Sequence, residues 1–406
     1  MTDRGPVRRF GVVGAGTIGS GVARLLSDLD ARVVVVAPRP GGVQRAADML
    51  CRAYKSDVDR GRISAAEAEA RLRNIHVTPS YADLDGVECV VESVVEDVRT
   101  KQDVLAAVED VVAPDCIIAS NTSSIPITRI AAAAHRPERV IGTHYFWPAH
   151  RDRLVEIATA EATSERTLQQ TLAMTSWQGK TPLLVRDSPG FFTTRILMVY
   201  LNEAIALVPG GASIESVDGA MKAFGWAMGP FRLMDALGIE VLRGVYASVS
   251  EHLGERVDSL RRLWPVLDAG HVGYGRRNRQ GAKGFYRDPE GRVVDARIYP
   301  LLGWHTNGIF SSTEISTRPI WQMINEIGHC LDEGVVSSPE DANLGAVLGL
   351  GWPERHGGPL PYACRVGVDR IVGQLAAWTR QHGSRFAPSR FLTQLASVDA
   401  HAARVV

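Results

Sequence analysis

Cysteine is scarce and never paired: Cys51, Cys89, Cys116, Cys330 and Cys364 stand apart, odd in number, with no C-x-x-C pair. Such a set excludes a disulfide framework and a clustered zinc site, and it fits free thiols in a reducing compartment. Neither sign of charge is in excess. Lysine plus arginine number 45, as do aspartate plus glutamate, so there is no basic surplus for nucleic acid and no charged tail. No apolar run is long enough to span a bilayer, and the start, "MTDRGPVRRFGVVGAG", enters an apolar strand without a signal core. The expectation is a cytoplasmic protein with no nucleic-acid, membrane or metal partner.

What is present is an ordinary apolar content, 45%, spread over 406 residues. That length calls for two or three domains. Residues 8–36 read as strand, glycine turn, helix and a second strand, "ARVVVVA", apolar throughout as a parallel sheet covered on both faces requires. Residues 43–75 read as helical, with Ser64 and Glu67 at capping-box spacing. "VECVVESVV" (87–95) and "CIIAS" (116–120) read as further buried strands, and the alternation continues to Asp187. Beyond it the texture turns helical and repeats. Thr-Arg at 194–195 and 317–318 is followed in both copies by Asn-Glu (202–203 and 325–326), an aspartate (Asp218 and Asp341) and a Gly-Pro pair (229–230 and 358–359). The fold expected is α/β: an N-terminal Rossmann-like, doubly wound domain over 1–187, then two repeated all-helical modules. The first module covers 188–300, with the linker "HVGYGRRNRQGAKGFYRDPEGR", and the second 301–406. Two such modules could pack on each other, forming within one chain the contact a dimer would otherwise supply.

"GAGTIG" (14–19) has the G-x-G-x-x-G spacing after a strand and at the start of a helix, the context that dinucleotide binding needs. Gly14 permits the tight turn, Gly16 lets a pyrophosphate approach the backbone, and Gly19 allows helix and strand to pack closely. With Thr17 and Ile18 these residues open a helix whose free N–H groups face the phosphates. The second strand ends at Ala37, where an acid would hold the ribose hydroxyls, and Arg39 follows. Either Arg39 accommodates a ribose 2′-phosphate, a slight lean to NADP over NAD, or it is a solvated loop residue.

His144 and Glu156 stand twelve residues apart in "GTHYFWPAHRDRLVEI". A neutral imidazole suits proton removal from an alcohol near neutral pH, and a carboxylate on its other nitrogen would fix the tautomer and stabilise the imidazolium. The alternative is a satisfied core histidine on a buried hairpin. "FGVVGAGTIGSGVA", "VVESVVEDVRTKQDV", "IIASNTSSIPIT", "RPERVIGTHYFWPAHRDRLVEI" and "KTPLLVRDSPGFFTTRIL" follow in this order. Together they resemble the L-3-hydroxyacyl-CoA dehydrogenase family. "GPFRLMDALG", "GAKGFY" and "SPEDANLGAVLGLGWPERHGGPLPYA" look like the dehydrogenase half of the multifunctional fatty-acid oxidation proteins, with no enoyl-CoA hydratase half in front. The resemblance implies His144 as the catalytic histidine, Glu156 as its partner and Ser123 as a hydroxyl that contacts the substrate. It also implies Glu96 and Lys101 as the E-x(4)-K pair near nicotinamide and substrate; a surface pair at a helix start is the other reading of those two.

Against the family pattern, Trp147 and Thr194 stand where it has asparagine. The activity expected is interconversion of 3-hydroxyacyl and 3-oxoacyl thioesters, carried by coenzyme A or an acyl carrier, with NAD or NADP, in a monomer or homodimer. A non-standard acyl group packing on Trp147 fits the changes. Two alternatives stay open: a weakened member that binds thioester or nucleotide in a regulatory role, and a biosynthetic, NADPH-dependent reductase.

Overall fold

The computed structural model describes residues 9–275, 281–305 and 310–402; the first eight residues and 276–280 of the expected linker lie outside the described residues. The chain divides into two compact units, 1–191 and 192–406.

In the first unit eight strands form one sheet: β1 (Arg9–Val13), β2 (Arg32–Val36), β3 (Ile75–Thr78), β4 (Cys89–Glu92), β5 (Ile117–Ser120), β6 (Val140–Tyr145), β7 (Leu154–Thr159) and β8 (Thr181–Arg186). Their order is β3-β2-β1-β4-β5-β6-β7-β8. The first six run parallel, β7 turns back against β6, and β8 follows β7. Both faces carry helices, so the central strands are apolar on both sides, and Val12, Val35, Val91, Ala119 and Ile141 are buried in one core. The strand order reverses beside β1, and a doubly wound sheet opens its ligand crevice at that switch point.

The helices here are α1 (Thr17–Asp28), α2 (Gly42–Asp59), α3 (Ala65–Arg73), α4 (Val98–Glu109), α5 (Ile127–Ala131) and α6 (Glu165–Trp177). The stretch 43–75, expected as helical, is two helices that end just before β3, broken at Gly61, whose φ of 65° leaves helical geometry. Ser64 and Glu67 form the expected capping box on α3. The strand expected over 87–95 is shorter: β4 ends at Glu92, and Val95, 47% exposed, has left the sheet on its carboxyl side.

The second unit is mainly helical: α7 (Thr193–Leu207), α8 (Ile214–Phe224), α9 (Pro230–Leu237), α10 (Ile239–Leu253), α11 (Leu263–Asp268), α12 (Ile298–Leu302), α13 (Ser312–Asp332), α14 (Pro339–Leu350), α15 (Pro359–Val366), α16 (Val368–His382) and α17 (Arg390–Ala402), with an irregular stretch before α12 that holds the isolated bridges His271–Lys283 and Tyr286–Val294. The repeat is realised as a reciprocal contact between α7 and α13. Arg195 Nε donates to Glu326 Oε1 at 2.5 Å, and Arg318 donates to Glu203, so each copy's arginine meets the other copy's glutamate. Arg256 and Arg385 add a second cation to Glu326 and Glu203 respectively. Asn202 and Asn325 accept from the backbone of Leu260 and Ser389. This two-fold logic is that of a symmetric dimer interface, closed here within one chain. The aspartates need correction. Asp218 accepts from Phe231 N and Arg232 N at the start of α9, but the matching contact to Leu360 N comes from Asn343, not Asp341. Helix α13 runs two residues further past its arginine than α7 does, which displaces the register. No helix among the described residues is long and apolar enough to cross a membrane.

Candidate active site

Antiparallel pairing of β6 and β7 sets His144 directly opposite Glu156. Directly opposed residues have Cβ atoms about 5 Å apart, and here His144 Nδ1 meets Glu156 Oε2 at 2.7 Å. The Glu156 side chain is wholly buried, while that of His144 keeps 12% exposure. A carboxylate at Nδ1 puts the proton there and leaves the Nε2 lone pair outward; Nε2 has no hydrogen-bond partner among the described residues. Phe146 and Phe191 pack on the ring, with centroids at 4.5 and 6.5 Å. Lys180 holds the loop behind it by donating to the carbonyls of Ala149 (2.5 Å) and Asp152.

The glycine turn joins β1 to α1 at the switch point. Gly14 has φ 100°, and a Cβ there would lie 2.4 Å from Ser93 O. A Cβ on Gly19 would lie 1.9 Å from Gly14 O, so both positions admit glycine alone. A Cβ on Gly16 would meet nothing within 4 Å, and Gly16 caps α1 without any side-chain hydrogen bond. Open space over uncapped N–H groups at a helix start is what a pyrophosphate requires, and the turn fits a dinucleotide. Thr17 and Ile18 form the first turn of α1. Ala37 is buried, and Arg39 is exposed with no side-chain partner among the described residues.

Ser123 lies in the loop after β5, organised by one carboxylate. Glu96 Oε1 accepts from Thr122 Oγ1 (2.7 Å), Ser124 Oγ (2.9 Å) and the backbone N–H groups of Ser123 and Ser124 (3.0 Å each). Ser123 Oγ stands further off, at 3.3 Å, and is half-exposed, so of the three hydroxyls it is the one available to an outside partner. Burial opposes ionisation of Glu96, but Lys101 and these donors outweigh it and hold its carboxyl below the ordinary range. Lys101 is itself enclosed, with Nζ 3.0 Å from both oxygens of Glu92 and 3.5 Å from Glu96. Neither residue is the surface pair at a helix start: Glu96 ties down the serine loop, and Lys101 neutralises two carboxylates from below. The helix after this loop is capped from elsewhere, by Asp187, which accepts from Ile127 N and Thr128 N at the start of α5.

Trp147 is 51% exposed after β6. It shares a cavity of about 110 Å³ with Thr17, Met49 and Ala53, which puts the indole beside the glycine turn and α2. Thr194, in the first turn of α7, belongs to the second unit and is buried. Among the described residues no group of His, Cys, Asp or Glu is arranged to hold a metal ion. Lys180 and Asp187 carried no sequence signal beyond being charged residues beside strand ends.

Two family models match this chain. One, described as the 3-hydroxyacyl-CoA dehydrogenase NAD binding domain, covers residues 9–188. The other, the C-terminal domain of the same family, covers 190–288. The fatty acid oxidation complex subunit alpha of Idiomarina loihiensis is 35% identical over 395 residues, 96% of this chain and 55% of that protein. The chain thus spans about half the length of the curated relatives it matches. FadB2 of M. tuberculosis is 31% identical, with a TM-score of 0.64 over 69% of this chain and 100% of that one. The 3-hydroxybutyryl-CoA dehydrogenase of Escherichia coli K12 shares the fold, with a TM-score of 0.81 at 24% identity over 98% of this chain and 99% of that one.

Proposed function

The chain belongs to the 3-hydroxyacyl-CoA dehydrogenase family, and on that premise we propose that it interconverts 3-hydroxyacyl and 3-oxoacyl thioesters with His144 as the proton-transfer group. The observation that carries this reading is the 2.7 Å contact between His144 Nδ1 and buried Glu156. In the oxidative direction His144 Nε2 takes the hydroxyl proton, and Glu156 stabilises the imidazolium that forms. A nicotinamide held at the glycine turn supplies the hydride acceptor when bound. In the reductive direction the imidazolium returns the proton to the substrate oxygen. Ser123 donates to the substrate oxygen or the thioester carbonyl, presented by the loop that Glu96 holds.

The nucleotide is NAD or NADP. Ala37 and exposed Arg39 are what favours NADP, and the matched model, an NAD binding domain, lends that preference no support. The relatives named as fatty acid oxidation subunits support coenzyme A thioesters as substrates and a place in acyl-chain oxidation. Trp147, half-exposed beside the glycine turn, supports an acyl group larger than the simplest. The same residue, with Thr194, favours the second reading, a thioester- or nucleotide-binding protein with little turnover.

The test is consumption of reduced nicotinamide with acetoacetyl-CoA, run in parallel with NADH and NADPH. Turnover with either upholds the dehydrogenase reading, and the ratio of the two rates assigns Arg39 its role. Nucleotide binding without turnover on acetoacetyl-CoA or on bulkier 3-oxoacyl-CoA thioesters would replace it with the second reading.

A further inference from the structure

Asn121, the first residue after β5, lies between the two halves of the site. Its side chain reaches both. Nδ2 donates to Ser93 Oγ at 3.1 Å, and Oδ1 accepts from Tyr145 N at 2.8 Å. Ser93 is the residue the glycine turn rests on: its N–H donates to Val13 O at 2.7 Å, and its carbonyl and Cβ crowd the places where Gly14 and Gly19 would carry side chains. Tyr145 directly follows His144 and is anchored at its far end, with the ring buried and its hydroxyl donating to Gln178 Oε1 at 3.0 Å. The Asn121 backbone N–H also donates to Glu92 O at 2.8 Å, which fixes the main chain from which the carboxamide reaches.

We infer that Asn121 is a positioning residue, holding the strand that carries His144 at a set distance from the dinucleotide turn through Tyr145 and Ser93. The inference rests on His144 as the proton-transfer group. A carboxamide suits the task because it offers an acceptor and a donor in one plane, one for a backbone N–H and one for a hydroxyl. Displacing a reacting group by about 1 Å can cost about 10²-fold in rate without touching the chemistry.

The experiment compares Asn121→Leu with Asn121→Asp in the full chain. Asn121→Leu lowers kcat about 10²-fold, leaves nucleotide affinity by fluorescence titration unchanged, and speeds hydrogen exchange at the Tyr145 amide. Asn121→Asp keeps both contacts, because the Ser93 hydroxyl can turn and donate, and it restores the amide protection and most of kcat. Unchanged kcat in folded Asn121→Leu overturns the inference. So does a loss that Asn121→Asp fails to recover while the Tyr145 amide is protected. If Asn121→Leu does not fold, Ser93→Ala decides: kcat about tenfold lower supports the link to the turn, and kcat equal to the parent overturns it. His144→Gln measured alongside separates the two ideas. Surviving turnover there removes the base assignment itself, whereas a dead His144→Gln with an unaffected Asn121→Leu removes only the positioning role.

Discussion

Both units bury charge, and they do so to different ends. In the helical unit Arg195 and Arg318 are each enclosed against a glutamate of the opposite copy, and the cations added by Arg256 and Arg385 close the same arrangement. In the sheet unit two carboxylates, the buried Glu156 and the part-buried Glu96, lead outward. Glu156 ends on an imidazole that keeps 12% of its side chain exposed, and Glu96 ends on a loop whose Ser123 is half-exposed. A buried charge answered by counter-charges, as Arg195 is by buried Glu326 and by Glu333 at the surface, adds order to the fold. One whose partner touches the crevice can tune a reactive group, and burial alone does not tell the two apart.

Substitutions sharpen the contrast. His144→Gln, the largest expected effect, lowers kcat by about 10³-fold, or about 4 kcal/mol in barrier. Nucleotide affinity and urea unfolding should stay near the parent, since the amide can still meet Glu156. A variant that loses stability but keeps its turnover would make His144 a core residue and erase the distinction. Arg195→Met shows the opposite pattern. Removing one partner of a buried pair costs 3–5 kcal/mol, and because Arg256 still meets Glu326 at 2.8 Å the expected loss is about 3 kcal/mol in urea unfolding. Nucleotide binding should not change.

The smallest effect is on pH. Burial pushes the Asp235 carboxyl up to about 7 and Asp218 up to about 6, against the opposing pull of their backbone and hydroxyl donors. Both folded values exceed the ordinary 3.8 of an unfolded aspartate. The native state therefore holds the proton more tightly, and this contribution is fully present below about pH 4 and lost as pH rises through about 7. The stability gap between the parent and Asp235→Asn should narrow steadily as pH rises across that window. A flat gap would mean that the N–H groups of Phe285 and Tyr286 compensate the buried charge in full.

Much of the sheet unit was legible because its signals are local. The glycine turn, the capping box at Ser64 and the apolar strands rest on spacings within one or two turns of chain. The helical repeat was legible through matched offsets, although the offset at Asp341 misled, because two added residues in α13 hand its part to Asn343. The expected strand over 87–95 failed in its second half because apolar content does not mark where a strand leaves the sheet towards a ligand crevice. Asn121, Lys180, Asp187, Arg256 and Arg385 gave no warning. Each acts on a backbone group or carboxylate more than twenty residues away, and polar side chains of their kinds are common in loops.

The sequence by itself determined the alternation of strand and helix, the dinucleotide turn and the duplication of a helical module, because hydrophobic period, glycine stereochemistry and repeated spacing act between near neighbours. Only the tertiary structure decided that His144 faces Glu156, that Glu96 gathers three consecutive residues 26 to 28 positions away, and that Arg195 finds Glu326 across 131 positions. Those pairings follow from strand register and helix docking, which the burial of whole faces sets and no local spacing encodes.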